Sequence, residues 1–298
     1  MSPSKEQHLH WNVEALWQQL EPLLPGLSIE VLARIESTNT ALLDRVRSNG
    51  ASGATRGGEE RRGYGRRAQD LQPCLLVAEA QTHGRGRMGR SWQSNAGDSL
   101  TFSLALPLDV SDWSGLSLIV GTAIADALDQ PDAAAPGWKP RLQLKWPNDI
   151  WLDGRKLGGI LIETVAAGAQ RMAIIGVGLN VRASAELSGA SFATGYASLD
   201  ELIAGISAPE ALARCMPALV RALREFPQTG FSPAWLAAYS RRDLLRGQAI
   251  SAGTLDGIGQ GVNGHGELLL QDLQGTQHAI GSGEVSVRLA AAGKETGS

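Results

Sequence analysis

Between Leu142 and Val181 the chain carries four apolar segments, Leu142–Trp146, Ile150–Leu152, Leu157–Val165 and Met172–Val181, parted by Asn148-Asp149, Asp153-Gly154 and Ala167-Gly168. Breaks of this chemistry tolerate the positive φ of a tight hairpin, so the spacing predicts an antiparallel sheet. A chain of 298 residues with 43% hydrophobic content can bury such a sheet under helices. Helical spacing recurs at Val13, Leu16, Trp17, Leu20 and Leu24, closed by Pro25-Gly26, and predicts further helices over Leu116–Leu128, Leu199–Ala204, Ala211–Phe226 and Pro233–Arg241. Other strands are expected at Ile29–Ile35, Cys74–Ala80 and Leu100–Leu108, with Ser37-Thr38-Asn39-Thr40 capping a helix that ends near Gly50.

After Leu245 the composition changes to QAISA, LDGIGQGV, ELLLQDL and EVSVRL, short glycine-rich strands of a small β-barrel. The expected division is a lead-in helix over 1–28, a main domain over 29–243, the barrel over 244–290 and a flexible tail over 291–298. Residues 51–70 lack apolar periodicity and read as a mobile loop, and Pro131 to Pro140 reads as a linker. From Asp44 to Asp70 seven arginines stand against four acidic residues, a local balance of +3 that suits either an acidic partner or simple solubility.

The formal net charge of -3 gives no general attraction for nucleic acid or an anionic membrane. Two distant cysteines, Cys74 and Cys215, and the lack of a leader or long apolar run near Met1 point to a reducing cytoplasm. His8, His10, His83, His265 and His278 do not have zinc-site spacing, and neither a G-x-S-x-G elbow nor a G-x-x-x-x-G-K-[ST] loop is present.

Within HGRGRMGRSW, Gly84 to Gly89 satisfies G-x-G-x-x-G, yet Ser91 to Asp98 is turn-like where a dinucleotide loop would open a helix. Alternating Arg with Gly bends the backbone while bringing guanidinium groups and amides toward one concavity, so an anion clamp is the better reading. KWPND, Lys145 to Asp149, ends a strand in a turn that presents amine, amide and carboxylate. In GRKLGGILIE, Lys156 precedes Gly158-Gly159, where a ligand can pack on bare backbone. Spacing alone leaves Lys145 and Lys156 equally open to a plain exposed role.

Taken in order, STNT at Ser37, VAEAQTHGRGRMGRSW at Val77, LKWPNDIW at Leu144, GRKLGGILIE at Gly154 and GVGLNV at Gly176 resemble a biotin–protein ligase, over nearly all the chain from Ile29 to Leu289. The resemblance implies an α+β fold: a catalytic domain related to class II aminoacyl-tRNA synthetases, with a mixed, largely antiparallel sheet, followed by an SH3-like barrel. It implies that ATP and biotin, with magnesium, give biotinyl-adenylate. A lysine of the biotin carboxyl carrier protein of acetyl-CoA carboxylase, or of other biotin-dependent carboxylases, then attacks the activated carbonyl.

Joining two anions requires cations already aimed at the developing charge, and Arg85, Arg87, Arg90 and Lys156 fit that need. By resemblance, Ser37, Thr38, Asn39 and Gln81 take the ureido ring, and Arg85, Gly86, Arg87, Lys156 and Gly159 complete the biotin site. Arg87, Arg90, Lys145, Asn148, Asp149, Asn180 and Tyr196 fall on the nucleotide side, with Lys156, Arg87 and Asp149 closest to the chemistry. Ser37 or Thr38 as a helix cap, Gln81 as a sheet-edge polar, Asp149 as a turn residue and Tyr196 as a core tyrosine remain open alternatives. Some relatives carry a helix–turn–helix domain and repress transcription. Only one helix is expected before Ile29, so specific DNA binding is not expected. Homodimerisation through Leu157–Val165 is implied by resemblance only. The rival readings are a lipoate–protein ligase and a non-catalytic DNA-binding regulator, the latter lacking a basic reading helix.

Overall fold

The computed structural model describes residues 9–51, 72–130, 137–167, 170–183, 195–283 and 285–290. The loop expected over 51–70, most of the linker after Pro131 and the tail over 291–298 lie outside the described residues. Strands β1 (Ser28–Ile35), β2 (Cys74–Arg85), β3 (Ser91–Ser94), β4 (Ser99–Pro107), β5 (Leu142–Lys145), β6 (Asp149–Leu152), β7 (Arg155–Ala167) and β8 (Gln170–Asn180) form one sheet. Its order is β1-β2-β4-β8-β7-β6-β5, with β3 paired to β2. Only β1 and β2 run parallel, a pairing that needs a crossover connection, which includes the helix α2 (Thr38–Ala51). The other pairs are antiparallel, and those among β5 to β8 follow the hairpin breaks of the sequence.

Helix α2 covers one face of the sheet, where Leu42, Leu43 and Val46 pack on Leu76, Met172 and Ile174. The opposite face carries α1 (Val13–Leu20), α3 (Leu116–Leu128) and α4 (Ala208–Thr229) in a continuous core that includes Leu20, Ile119, Ile124, Leu219 and Leu223. β4 is buried over eight of its nine positions because helices cover both faces at the centre of the sheet. A second, five-stranded antiparallel sheet, β12-β11-β10-β9-β13, is built from β9 (Ala249–Ala252), β10 (Leu255–Val262), β11 (Leu268–Asp272), β12 (Gln277–Ile280) and β13 (Val287–Leu289).

The structure corrects four boundaries, makes Ser91–Ser94 of the stretch read as turn-like into β3, and adds β12. α1 stops at Leu20, and Glu21–Gly26 forms turns rather than a further helical turn. β2 continues to Arg85 and pairs back with β3, so the Gly-Arg run begins inside a hairpin; backbone pairing needs no apolar side chains, and periodicity could not show it. The helix expected over Leu199–Ala204 shrinks to a 3₁₀ turn, Leu199–Glu201. α4 starts earlier, where Ser207 Oγ accepts from Glu210 N at 3.3 Å, and runs on through Pro217. β12 was not expected, because four residues offer too little alternation to stand out.

Candidate active site

α2 begins at the end of β1, and its first residues set the polar wall of a cavity of about 610 Å³. Ser37 caps the helix, its Oγ accepting from Thr40 N at 3.3 Å. Thr38 N donates to Gln81 Oε1 at 2.8 Å across the β1–β2 edge. Asn39 Nδ2 donates to Leu161 O at 3.2 Å and Glu163 Oε2 at 3.0 Å, so its Oδ1 faces Ser103 Oγ at 2.6 Å. Ser103 Oγ also lies 2.7 Å from Thr38 Oγ1. Ser37, Thr38, Asn39 and Ser103 are all buried, and this network satisfies polar atoms that burial would otherwise penalise. Both open alternatives for this group hold at once: a helix cap and a sheet-edge amide also line the cavity.

The floor is bare backbone on β8. A Cβ at Gly176 would fall 2.2 Å from Asn39 Oδ1, and one at Gly178 would fall 2.5 Å from Trp92 Cε2. Glycine there lets the amide wall and the indole of Trp92 approach the sheet closely.

The β2–β3 hairpin crosses above. Gly86 N donates to Arg90 O at 2.7 Å, and Met88 at its tip is left-handed, with φ 56°, and more than half exposed. Arg85 does not join the other arginines: it forms a two-pronged pair with Glu163 at 2.9 and 3.3 Å, at the root of the loop. Arg87 reaches across to donate to the carbonyls of Ser282 and Gly283, and Arg90 Nη2 donates to Ser286 Oγ at 3.3 Å. Burial holds the Arg87 guanidinium below its ordinary pKa, with Asp149 opposing the shift.

At the far end, β5 and β6 place Lys145 opposite Asp149, and β7 places Lys156 opposite Trp151. Lys156 Nζ donates to Asp149 Oδ1 at 2.7 Å. Lys145 Nζ stands 5.0 Å from the centre of the Trp151 ring. Asn148 Nδ2 donates to Ile160 O at 2.7 Å, tying the KWPND turn to β7, and Asn180 Nδ2 donates to Ala197 O at 3.1 Å. Tyr196 forms a backbone bridge to Lys156.

Every residue proposed from the sequence lines this one cavity, including Gly86, Gly159, Arg90, Lys145, Asn180 and Tyr196. Trp92, Ser103, Trp151, Glu163 and the Val285–Val287 stretch were missed as site residues. Ser99, Thr101 and Ser103, each two apart in a strand otherwise apolar, were a legible sign of polar groups inside the core. Val285, Ser286 and Val287 arrive from the second sheet, and no local signal marks them.

Residues 66–180 match the model of the biotin/lipoate A/B protein ligase family. The chain is 33% identical over 267 residues to the biotin–[acetyl-CoA-carboxylase] ligase of Mycobacterium tuberculosis, an alignment spanning 86% of this chain and 88% of the relative. To the bifunctional ligase/repressor BirA of Escherichia coli it is 31% identical over 280 residues, 92% of this chain and 78% of that one. The chain belongs to the biotin–protein ligase family. The same likeness holds in three dimensions. The biotin protein ligase from Aquifex aeolicus, solved in complex with biotin and ATP, superposes with a TM-score of 0.63 at 25% identity, covering 88% of this chain and 99% of that one. The family therefore supplies the architecture seen here, a catalytic sheet with a C-terminal antiparallel sheet set against the site.

Proposed function

We propose that the chain joins biotin and ATP into biotinyl-5'-adenylate, releasing pyrophosphate, and passes biotin to one lysine of a biotin carboxyl carrier domain such as that of acetyl-CoA carboxylase. The observation that carries the reading is the meeting in one cavity of a neutral amide and hydroxyl wall with a cationic end. The wall of Thr38, Asn39 and Gln81 suits a ureido group, whose donors and acceptors need partners when buried. Arg87, Arg90 and Lys156 suit the place where a carboxylate meets a phosphate. Lys156, held by Asp149, offsets charge and positions the carboxylate, since a charged ammonium has no lone pair for attack.

Magnesium enters this reading together with ATP, whose phosphates it accompanies. No described helix is long and apolar enough to cross a membrane, and a cytoplasmic setting is part of the proposal. So is an SH3-like closure of the second sheet on a class II synthetase-like core. Homodimerisation is supported by β7, whose pairing with β6 ends at Gly159 and leaves Leu161–Ala167 without a neighbour on that edge among the described residues.

The test is incubation with ATP, magnesium and either biotin or lipoate, followed by mass spectrometry of a purified carrier domain. The expected result is a single biotinyl adduct on one lysine. A lipoyl adduct in its place, or no adduct with either acid, would sink the reading.

A further inference from the structure

Transfer requires the carrier lysine to be a free amine, and an ordinary lysine with a pKa of about 10.4 is almost wholly protonated near neutral pH. A cavity group that takes that proton would raise the share of carrier lysine ready to attack. Asp149 Oδ1 accepts from Lys156 Nζ at 2.7 Å, so these two groups are already engaged with each other. The arginines of the hairpin are permanently charged. Lys145 differs from all of these. It lines the same cavity, half-buried, with its ammonium over the Trp151 ring at 5.0 Å, and among the described residues it has neither a hydrogen-bond nor an ion-pair partner.

We propose that Lys145 is the proton acceptor of the transfer step. The assignment rests on the ligase reading above and extends it to the second half-reaction. The carrier ammonium gives one proton to the neutral Lys145 amine. The freed lone pair attacks the acyl carbon of the mixed anhydride, and the bond from that carbon to the phosphate oxygen breaks, its electron pair leaving on AMP. The attacking nitrogen sheds its second proton to the departing phosphate as the amide forms, and Lys145 later returns its own to water.

The surroundings loosen the hold of Lys145 on its proton. Burial pushes its pKa below the ordinary lysine value; Lys156 from β7, Arg90 from the hairpin and Arg288 from β13 push the same way, and Asp149 from β6 opposes them. The flat face of Trp151 also favours the cation, but it cannot hydrogen-bond the ammonium as a carboxylate would. An adenylate brings one negative charge. Set against it and Asp149, the cations Arg87, Arg90, Lys156 and Arg288 remain in excess, so bound adenylate does not force Lys145 to stay protonated.

The experiment supplies biotinyl-5'-adenylate directly and follows single-turnover transfer to a biotin carboxyl carrier domain across about pH 6–10, for the full chain and for Lys145→Met and Lys145→Arg. Hydroxylamine, already neutral near pH 7, serves as a second nucleophile that needs no base. Both variants are expected to lose about 100-fold in transfer to the carrier lysine near neutral pH and to recover as pH rises, while hydroxylamine trapping stays within about threefold of the parent. Equal slowing with both nucleophiles would make Lys145 only a placement group for the adenylate, and a Lys145→Arg variant that transfers at the parent rate would remove any titrating role. Either result overturns the proposal. Failure of the parent to make adenylate from ATP and biotin would instead overturn the ligase reading, and it is measured separately.

Discussion

Ser103 has one proton and two short oxygen contacts, Asn39 Oδ1 at 2.6 Å and Thr38 Oγ1 at 2.7 Å. An amide oxygen can only accept, so that proton goes to Asn39, and Thr38 must donate to Ser103. Gln81 Oε1 is then left to the Thr38 backbone amide at 2.8 Å. Ser103→Ala should strand the Asn39 oxygen in the core and cost about 1–3 kcal/mol. Urea unfolding should show the loss and a biotin titration should show weaker binding; an unchanged midpoint would mean that the chain of hydroxyls carries no energy. Lys156 presents the opposite kind of residue, a charge that matters at the transition state. Lys156→Gln should slow adenylate formation by about 2–4 kcal/mol of lost electrostatic stabilisation, read as pyrophosphate release. A normal rate would show that the ammonium is dispensable. Arg85, by contrast, carries the same charge but spends it on Glu163 at the loop root, so charge alone did not reveal its role.

In the proposed reaction, the β2–β3 hairpin is the element placed to retain the intermediate. Its only apolar tip residue, Met88, faces solvent, so core packing does not hold it down. What fastens it is the donation from Arg87 to Ser282 and Gly283 and from Arg90 to Ser286. A mixed anhydride is reactive, and a loop latched over it limits escape and hydrolysis. Arg87→Gly should therefore still form adenylate but release it, giving free biotinyl-adenylate and biotin on lysines of bystander proteins. If the variant leaks no more than the parent, the latch is not what retains the intermediate. At the helical elements, Leu116–Leu128 was readable to the residue because thirteen mostly apolar residues are too long a run for an ordinary strand. The 3₁₀ turn at Leu199–Glu201 was over-read because its short run satisfies the same pattern without room for a second turn.

At the scale of the molecule, the two sheets meet where Trp146 Nε1 donates to Gly266 O at 2.9 Å and Leu144 bonds to both Arg242 and Leu244. Arg242 anchors the junction from within, donating to Asp129, Asp126 and the carbonyl of Leu142. Beside it, Asp243 Oδ1 accepts from Leu245 N at 2.9 Å, while Oδ2 is buried with no partner. Burial raises the Asp243 pKa, and its hydrogen bonds from Leu245 and Tyr239, with Arg246 nearby, only partly oppose the shift. A raised carboxylate binds its proton more tightly folded than unfolded. Its contribution to stability is therefore present below the ordinary carboxylate pKa of about 4 and is lost as pH rises through the folded value. Asp243→Asn keeps an acceptor and cannot ionise, so its unfolding free energy should decline less than the parent's between about pH 4 and neutrality. Urea denaturation across that range tests this, and parallel pH profiles would show that Asp243 is not strained by its charge.

The sequence by itself determined what depends on local chemistry. Hairpin breaks placed β5 through β8, glycine and arginine alternation marked an anion clamp, and five ordered motifs indicated the family. It also named most of the polar and charged lining, since those side chains had to be small, charged or hydrogen-bonding wherever they met a ligand. Only the tertiary structure decided how those charges pair: Lys156 with Asp149, Arg85 with Glu163 and Arg87 with the carbonyls near residue 283. The partners are separated by as few as 7 and as many as 196 positions, and even the shortest pairing depends on the β6–β7 register rather than on a sequence period. The same holds for Val285–Val287, brought to the cavity by the docking of one sheet on another, because the surface that closes a site is chosen by packing between elements and leaves no period in the strand that supplies it.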